Sequence, residues 1–182
     1  MSFSQSAPID ANAKVIPTWG FQVSASTPFT GNNTTVNTPV FTVTGSCLIT
    51  ALYATVTTTL GANHTAAFWR LNDQTAQIAL TLATGTTLSA ATSGSLIIKT
   101  GLVGAALTYK SAAAGYILEP TTLETLLPSP ILVASKTALT TTTIEYSYAT
   151  TDAPTTGTLQ HWIYYQPLSF DGAIGRVSTL NP

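Results

Sequence analysis

Charge is what this chain has least of. Charged residues make up 7% of its 182 positions, against roughly a quarter in an average domain. Nucleic-acid binding needs clustered positive charge. The six basic residues, Lys14, Arg70, Lys99, Lys110, Lys136 and Arg176, are scattered, and the formal net charge is −1. No nucleic-acid partner is expected. A membrane-spanning helix needs about 20 consecutive apolar residues. The apolar runs here are far shorter and are broken by threonine and glycine, so no membrane partner is expected either. The first residues, Met1-Ser2-Phe3-Ser4-Gln5, show neither a charged leader nor a long apolar run, and no secretory signal is expected. The single cysteine, Cys47, cannot form an internal disulfide; its apolar neighbours mark it as a small core residue. Wholesale disorder is excluded by the opposite feature, since 45% of the chain is apolar.

Chemistry-bearing patterns are equally scarce. There is no G-x-S-x-G elbow, and His64 and His161 are the only imidazoles. Polysaccharide cleavage needs two carboxylates at a defined separation. The seven acids, Asp10, Asp73, Glu119, Glu124, Glu145, Asp152 and Asp171, form no local signature. Metal-ligand spacing, a P-loop and a dinucleotide fingerprint are all absent. The expectation is a protein that is not an enzyme and has no catalytic residue, cofactor or metal.

What is present is threonine, about one residue in five. Its branched side chain favours strands. A surface of hydroxyls and amides also costs less to cover than a charged one, which suits a protein built to be assembled. Helical signals are confined to Thr121–Pro128, where Leu123, Leu126 and Leu127 have helical spacing before Pro128.

From residue 39 to 182 the pattern is that of a β-domain. Period-two alternation recurs in Val40–Thr44, Cys47–Thr58, Thr65–Leu71, Ala76–Leu82, "TTIEYSYAT" and Thr158–Gln166. Leu48, Leu52, Ala54 and Val56 are expected on one face of their strand, and Ile49, Ala51 and Tyr53 on the other. Ala76, Ile78, Leu80 and Leu82 are expected to share a face. Many short strands with close turn signals predict an all-β fold, an antiparallel β-sandwich or jelly roll. Residues 1–38 have three prolines and no sustained period; they are expected to form an extended N-terminal arm with one short strand near Phe21–Ser24. Trp19 and Phe21 in that arm pack either on their own domain or on a neighbour.

Near the C-terminus, "GTLQHWIYYQPLSFDGAIG" sets Leu159, His161, Ile163 and Tyr165 against Gln160, Trp162 and Tyr164. Its strand is expected to form a long-looped hairpin with Ile144–Ala149. Either face leaves apolar groups uncovered, which marks an interface. The candidate interface residues are Trp19, Phe21, Trp162, Tyr164 and Tyr165. Trp69, Trp162, Tyr164 and Tyr165 are also candidates for stacking on sugars.

Two stretches carry a resemblance. "PVFTVTGSCLITALYATVTTTLGANHTAAFWRLN" (Pro39–Asn72) is similar to the front half of a group of tailed-bacteriophage virion proteins, and "TTGTLQHWIYYQPLSFDGAI" (Thr155–Ile174) resembles their ending. The likeness covers much of residues 39–174 but not about 83–140. It implies a β-rich structural protein of the phage particle, of the capsid decoration or cement type. Such a protein would be made in the host cytoplasm and sit on the outer capsid surface as a homotrimer, with the major capsid protein as its partner. The alternative is a fibre or tail-tip module that binds a host-surface glycan.

Overall fold

The computed structural model describes residues 20–83, 91–99, 108–110, 130–135 and 141–178. Among them there is no helix, and eleven strands form two antiparallel sheets. The strands are β1 (Phe21–Pro28), β2 (Thr35–Thr44), β3 (Ser46–Thr58), β4 (His64–Asn72), β5 (Gln77–Ala79) and β6 (Leu96–Ile98). They continue with β7 (Thr108–Lys110), β8 (Ile131–Ala134), β9 (Thr142–Thr150), β10 (Thr158–Pro167) and β11 (Ala173–Arg176). The first sheet runs β1-β10-β3-β6-β7, with β8 also on β3; the second runs β11-β2-β9-β4-β5. The fold is an antiparallel β-sandwich.

The sandwich is held by alternation. Leu159, His161, Ile163 and Tyr165 of β10, with Ile49, Leu52, Ala54 and Val56 of β3, are buried. They face Phe41 and Val43 of β2, Ile144, Tyr146 and Tyr148 of β9, and Trp69 of β4. Fully burying one such aliphatic or phenyl side chain stabilises the fold by about 1.5–3 kcal/mol. Cys47 lies in the same core.

The chain keeps changing sheets. Gly45 alone separates β2 of the second sheet from β3 of the first. Its φ is +55°, and a Cβ there would collide with the side chains of Ser169 and Asp171. Only glycine turns this corner without strain. Likewise β9 lies in the second sheet and β10 in the first. The hairpin expected between Ile144–Ala149 and Leu159–Tyr165 therefore does not form. β9 pairs with β2 and β4, while β10 pairs with β1 and β3. Thr151–Gly157 bridges the two layers, and burial of β9 on both faces is what draws it to the middle of its sheet.

Bulges break the expected faces. Ala51 pairs with Tyr164 and Ile49 with Tyr165, so Thr50 is an extra residue. That turns Ile49 inward with Leu52 and turns Leu48 outward with Tyr53, the reverse of a strict two-residue period. Val40 is a second extra residue, between Pro39 and Phe41, and both Val40 and Phe41 are buried. Near β5 the amides of Leu80 and Thr81 both donate to the Trp69 carbonyl, at 2.8 and 3.3 Å. Leu80 and Thr81 are thus buried side by side, while Ile78 and Leu82 are 56% and 54% exposed. The four residues expected on one face divide between two environments.

Residues 21–38 are not arm-like. β1 pairs along its whole length with β10, from Phe21–Tyr165 to Pro28–Thr158. Residues 35–38 begin β2. The short polar residues of β1 hid its period: Ala25 and Thr27 face inward as fully as any leucine. Residues 1–19, with Trp19, lie outside the described residues, as do Thr121–Pro128.

Trp69 is fully buried, whereas Trp162 faces outward. Trp69→Ala is expected to cost about 3–5 kcal/mol, lowering Tm by about 10 °C. Trp162→Ala is expected to shift Tm by no more than a few degrees. Thermal melts of the two variants check this; equal losses would overturn the assignment of faces.

Candidate functional site

The outer face of the first sheet is built by β10 and its neighbours. Ser24, Trp162, Tyr53 and Ile98 form one cross-strand row; Gln22, Tyr164 and Ala51 form the next. The Tyr53 ring lies near-parallel to both neighbours, with centroids 6.3 Å from Trp162 at 16° and 6.4 Å from Tyr164 at 18°. All three side chains are half-buried. Burial pushes the Tyr53 hydroxyl up to about 12, helped by its hydrogen bond to Tyr164 and by repulsion from that residue's charge. β1, β3, β6, β8 and β10 of this sheet hold no Asp, Glu, Lys or Arg.

At one end this face runs into a strongly exposed apolar patch. Leu48 pairs with Leu132, which is 67% exposed. The Leu168 amide donates to the Ser46 carbonyl at 2.8 Å, and the Ser46 amide donates to Ser169 Oγ at 2.7 Å. These bonds hold the β10–β11 turn against the start of β3 and present Leu168 and Phe170, the latter 95% exposed.

The other aromatic cluster lies between the sheets. The His161 ring meets Tyr146 at 5.1 Å and Trp69 at 6.3 Å, and its Nε2 is 2.9 Å from Thr27 Oγ1. His64 packs among Phe29, Tyr146 and Tyr148, with its Nε2 3.3 Å from the Tyr146 hydroxyl. None of these neighbours carries a charge, and Nδ1 of each histidine has no hydrogen-bond partner. Burial pulls His64 down to about 4 and His161 down to about 3. Burial also raises Tyr146, reinforced by Tyr148. Both imidazoles are fully buried.

Glu145 is spoken for. One oxygen takes Arg70 Nε at 2.7 Å and the other takes Asn72 Nδ2 at 2.7 Å, while Arg70 also donates to Gln77. Asp73 caps the β4–β5 turn, accepting the amides of Thr75 and Ala76. Among the described residues no group of three metal-binding side chains occurs.

The five candidate interface residues therefore part company. Trp162 and Tyr164 stand together on the outer face. Phe21 and Tyr165 stack on each other at 5.6 Å, with Tyr165 buried. Trp19 lies outside the described residues. Sequence reading missed Tyr53, Leu132, Leu168 and Phe170 as surface groups. The "PLSFDG" turn was the available signal for the last two; Tyr53 depended on which face of β3 the second sheet covers. No family model, curated protein or solved structure matches the chain.

The buried histidines set a pH dependence. The unfolded imidazole titrates near 6.5, while the folded ones stay neutral to about 4 and about 3. Below pH 6.5 the unfolded chain takes up protons that the folded chain refuses, so stability falls as pH falls. The two together are expected to remove on the order of 5 kcal/mol between pH 6.5 and 4. Urea midpoints at pH 7, 5.5 and 4.5 check this; His161→Gln should flatten the slope even if it lowers every midpoint.

Proposed function

We propose that the chain is a structural protein of a tailed-bacteriophage particle, binding the outer capsid surface as a homotrimer and cementing neighbouring capsomers. The observation that carries this reading is the exposed group of Leu132, Leu168 and Phe170 at the end of a sheet whose strands β1, β3, β6, β8 and β10 hold no charged residue. A monomer gains nothing by holding a phenyl ring 95% exposed on a tied-down turn; covered by a partner, the same ring contributes about 1.5–3 kcal/mol. The resemblance of Pro39–Asn72 and Thr155–Ile174 to virion proteins supplies the partner class.

The mechanism is additive. Closed cyclic symmetry repeats one contact around an axis, and an obligate trimer interface buries about 2,000 Å² or more. A trimer that binds only the assembled shell stabilises that shell by mass action, by about 2.7 kcal/mol per site at a hundredfold excess over Kd. A neutral, hydroxyl-rich surface keeps the desolvation cost of each contact small.

Quantitative mass spectrometry of purified particles is the test. Hundreds of copies in fixed ratio to the shell protein are expected; a handful would sink the cement reading. Phe170→Ser and Leu132→Ser are expected to weaken co-sedimentation with shells by about tenfold or more, with Tm nearly unchanged.

A further inference from the structure

The aromatic row and the apolar corner differ in chemistry, and the difference points to a second ligand. The corner projects aliphatic and phenyl groups far into solvent. The row of Trp162, Tyr53 and Tyr164 is half-buried, its rings are held near-parallel, and its hydroxyls are tied to each other. Polar side chains flank it: Ser24 beside Trp162, Gln22 beside Tyr164, and Gln160 with Thr55 one row further along.

We propose that this row is a binding site for a neutral oligosaccharide. Sugar rings present apolar C–H faces and a rim of hydroxyls. Tryptophan and tyrosine offer a matching apolar body with a polar tip. A glutamine amide offers both an acceptor and two donors, which suits adjacent sugar hydroxyls. The rings keep their places through mutual stacking and the Tyr53–Tyr164 hydrogen bond, so little side-chain freedom remains to be lost on binding. Charge decides the ligand class. A phosphorylated or acidic glycan, or a nucleic acid, would call for cationic partners, and β1, β3 and β10, which carry and flank the row, hold no Lys or Arg. The proposal stands apart from the cement reading, because it uses the row and not the corner.

The experiment is a titration of the full chain with neutral hexasaccharides of α-glucan, β-glucan and galactan. Saturation-transfer NMR and tryptophan fluorescence read binding; analytical ultracentrifugation reads assembly. Saturable binding of at least one probe is expected. Trp162→Ala is expected to weaken it about tenfold or more, and Gln160→Ala several-fold, with Tm little changed. Phe170→Ser should leave sugar binding unchanged while reducing attachment to shells. No binding of any probe at millimolar concentration would overturn the proposal. So would a Trp162→Ala chain that drops to a smaller oligomer, which would assign the row to contact between copies. A failure of the sugar arm alone leaves the shell-binding result of Phe170→Ser standing, so the two readings fail separately.

Discussion

The contact between His161 and the Tyr146–Trp69 pair joins the two sheets at their centre. It sets three large polar-tipped rings in a space that carries no charge. Such groups are costly to bury unless their polar atoms are met, and here the meeting is partial: Thr27 serves one nitrogen of His161, while its Nδ1 and Trp69 Nε1 go unserved. The arrangement persists because the rings exclude solvent and pack on one another. It also restricts everything around it. β10 must present His161 inward, so Trp162 and Tyr164 must face out. β9 must present Tyr146 inward, so Glu145 must lie on the far face, where Arg70 and Asn72 meet it. One buried contact thus sets the polarity of both sheets.

The connectivity follows from the same need. Most strands that are neighbours in the sandwich are distant in the chain: β1 lies beside β10, β10 beside β3, β2 beside β9. The chain closes these pairs by crossing between layers at residues 29–34, at Gly45, at 59–63, at 151–157 and at 168–172. Such wiring makes folding depend on long-range pairing, which is slow to nucleate. It also ties both ends of the described chain into sheets, β1 at the edge of one and β11 at the edge of the other.

Scarcity of charge leaves a mark on the surface. Where an ordinary sheet would carry lysines and glutamates outward, β1, β3 and β10 of the first sheet carry serine, threonine, glutamine and aromatics. The polarity of that surface then rests on hydroxyls and amides, which can be covered by a neutral partner at small cost. The described ion pair, Arg70–Glu145, sits on the opposite sheet and is itself largely buried. The corner and the aromatic row, with the roles proposed for them, lie on the sheet that does not carry this pair.

The sequence by itself determined the all-β class, the shared face of Ile144, Tyr146 and Tyr148, and the opposition of Trp162 and Tyr164 to His161 and Ile163. These are consequences of a two-residue period, which is local and needs no partner to be read. It also determined that Cys47 is a core residue and that no cationic cluster exists. Which face of β10 turns inward was not legible, because both faces carry large apolar groups and only the opposing sheet chooses between them. The separation of β9 from β10 was not legible either, since a turn between adjacent strands looks the same whether it folds a hairpin or arches across a sandwich. Tyr53 stands opposite Leu52, Ala54 and Val56 as a two-residue period requires, but only the second sheet decides that its face is the outer one; Leu48 reached the patch beside Leu132 through the bulge at Thr50. A bulge leaves no mark in composition. It arises where two strands of unequal twist must keep their buried residues in register, and that demand exists only once the second strand is in place.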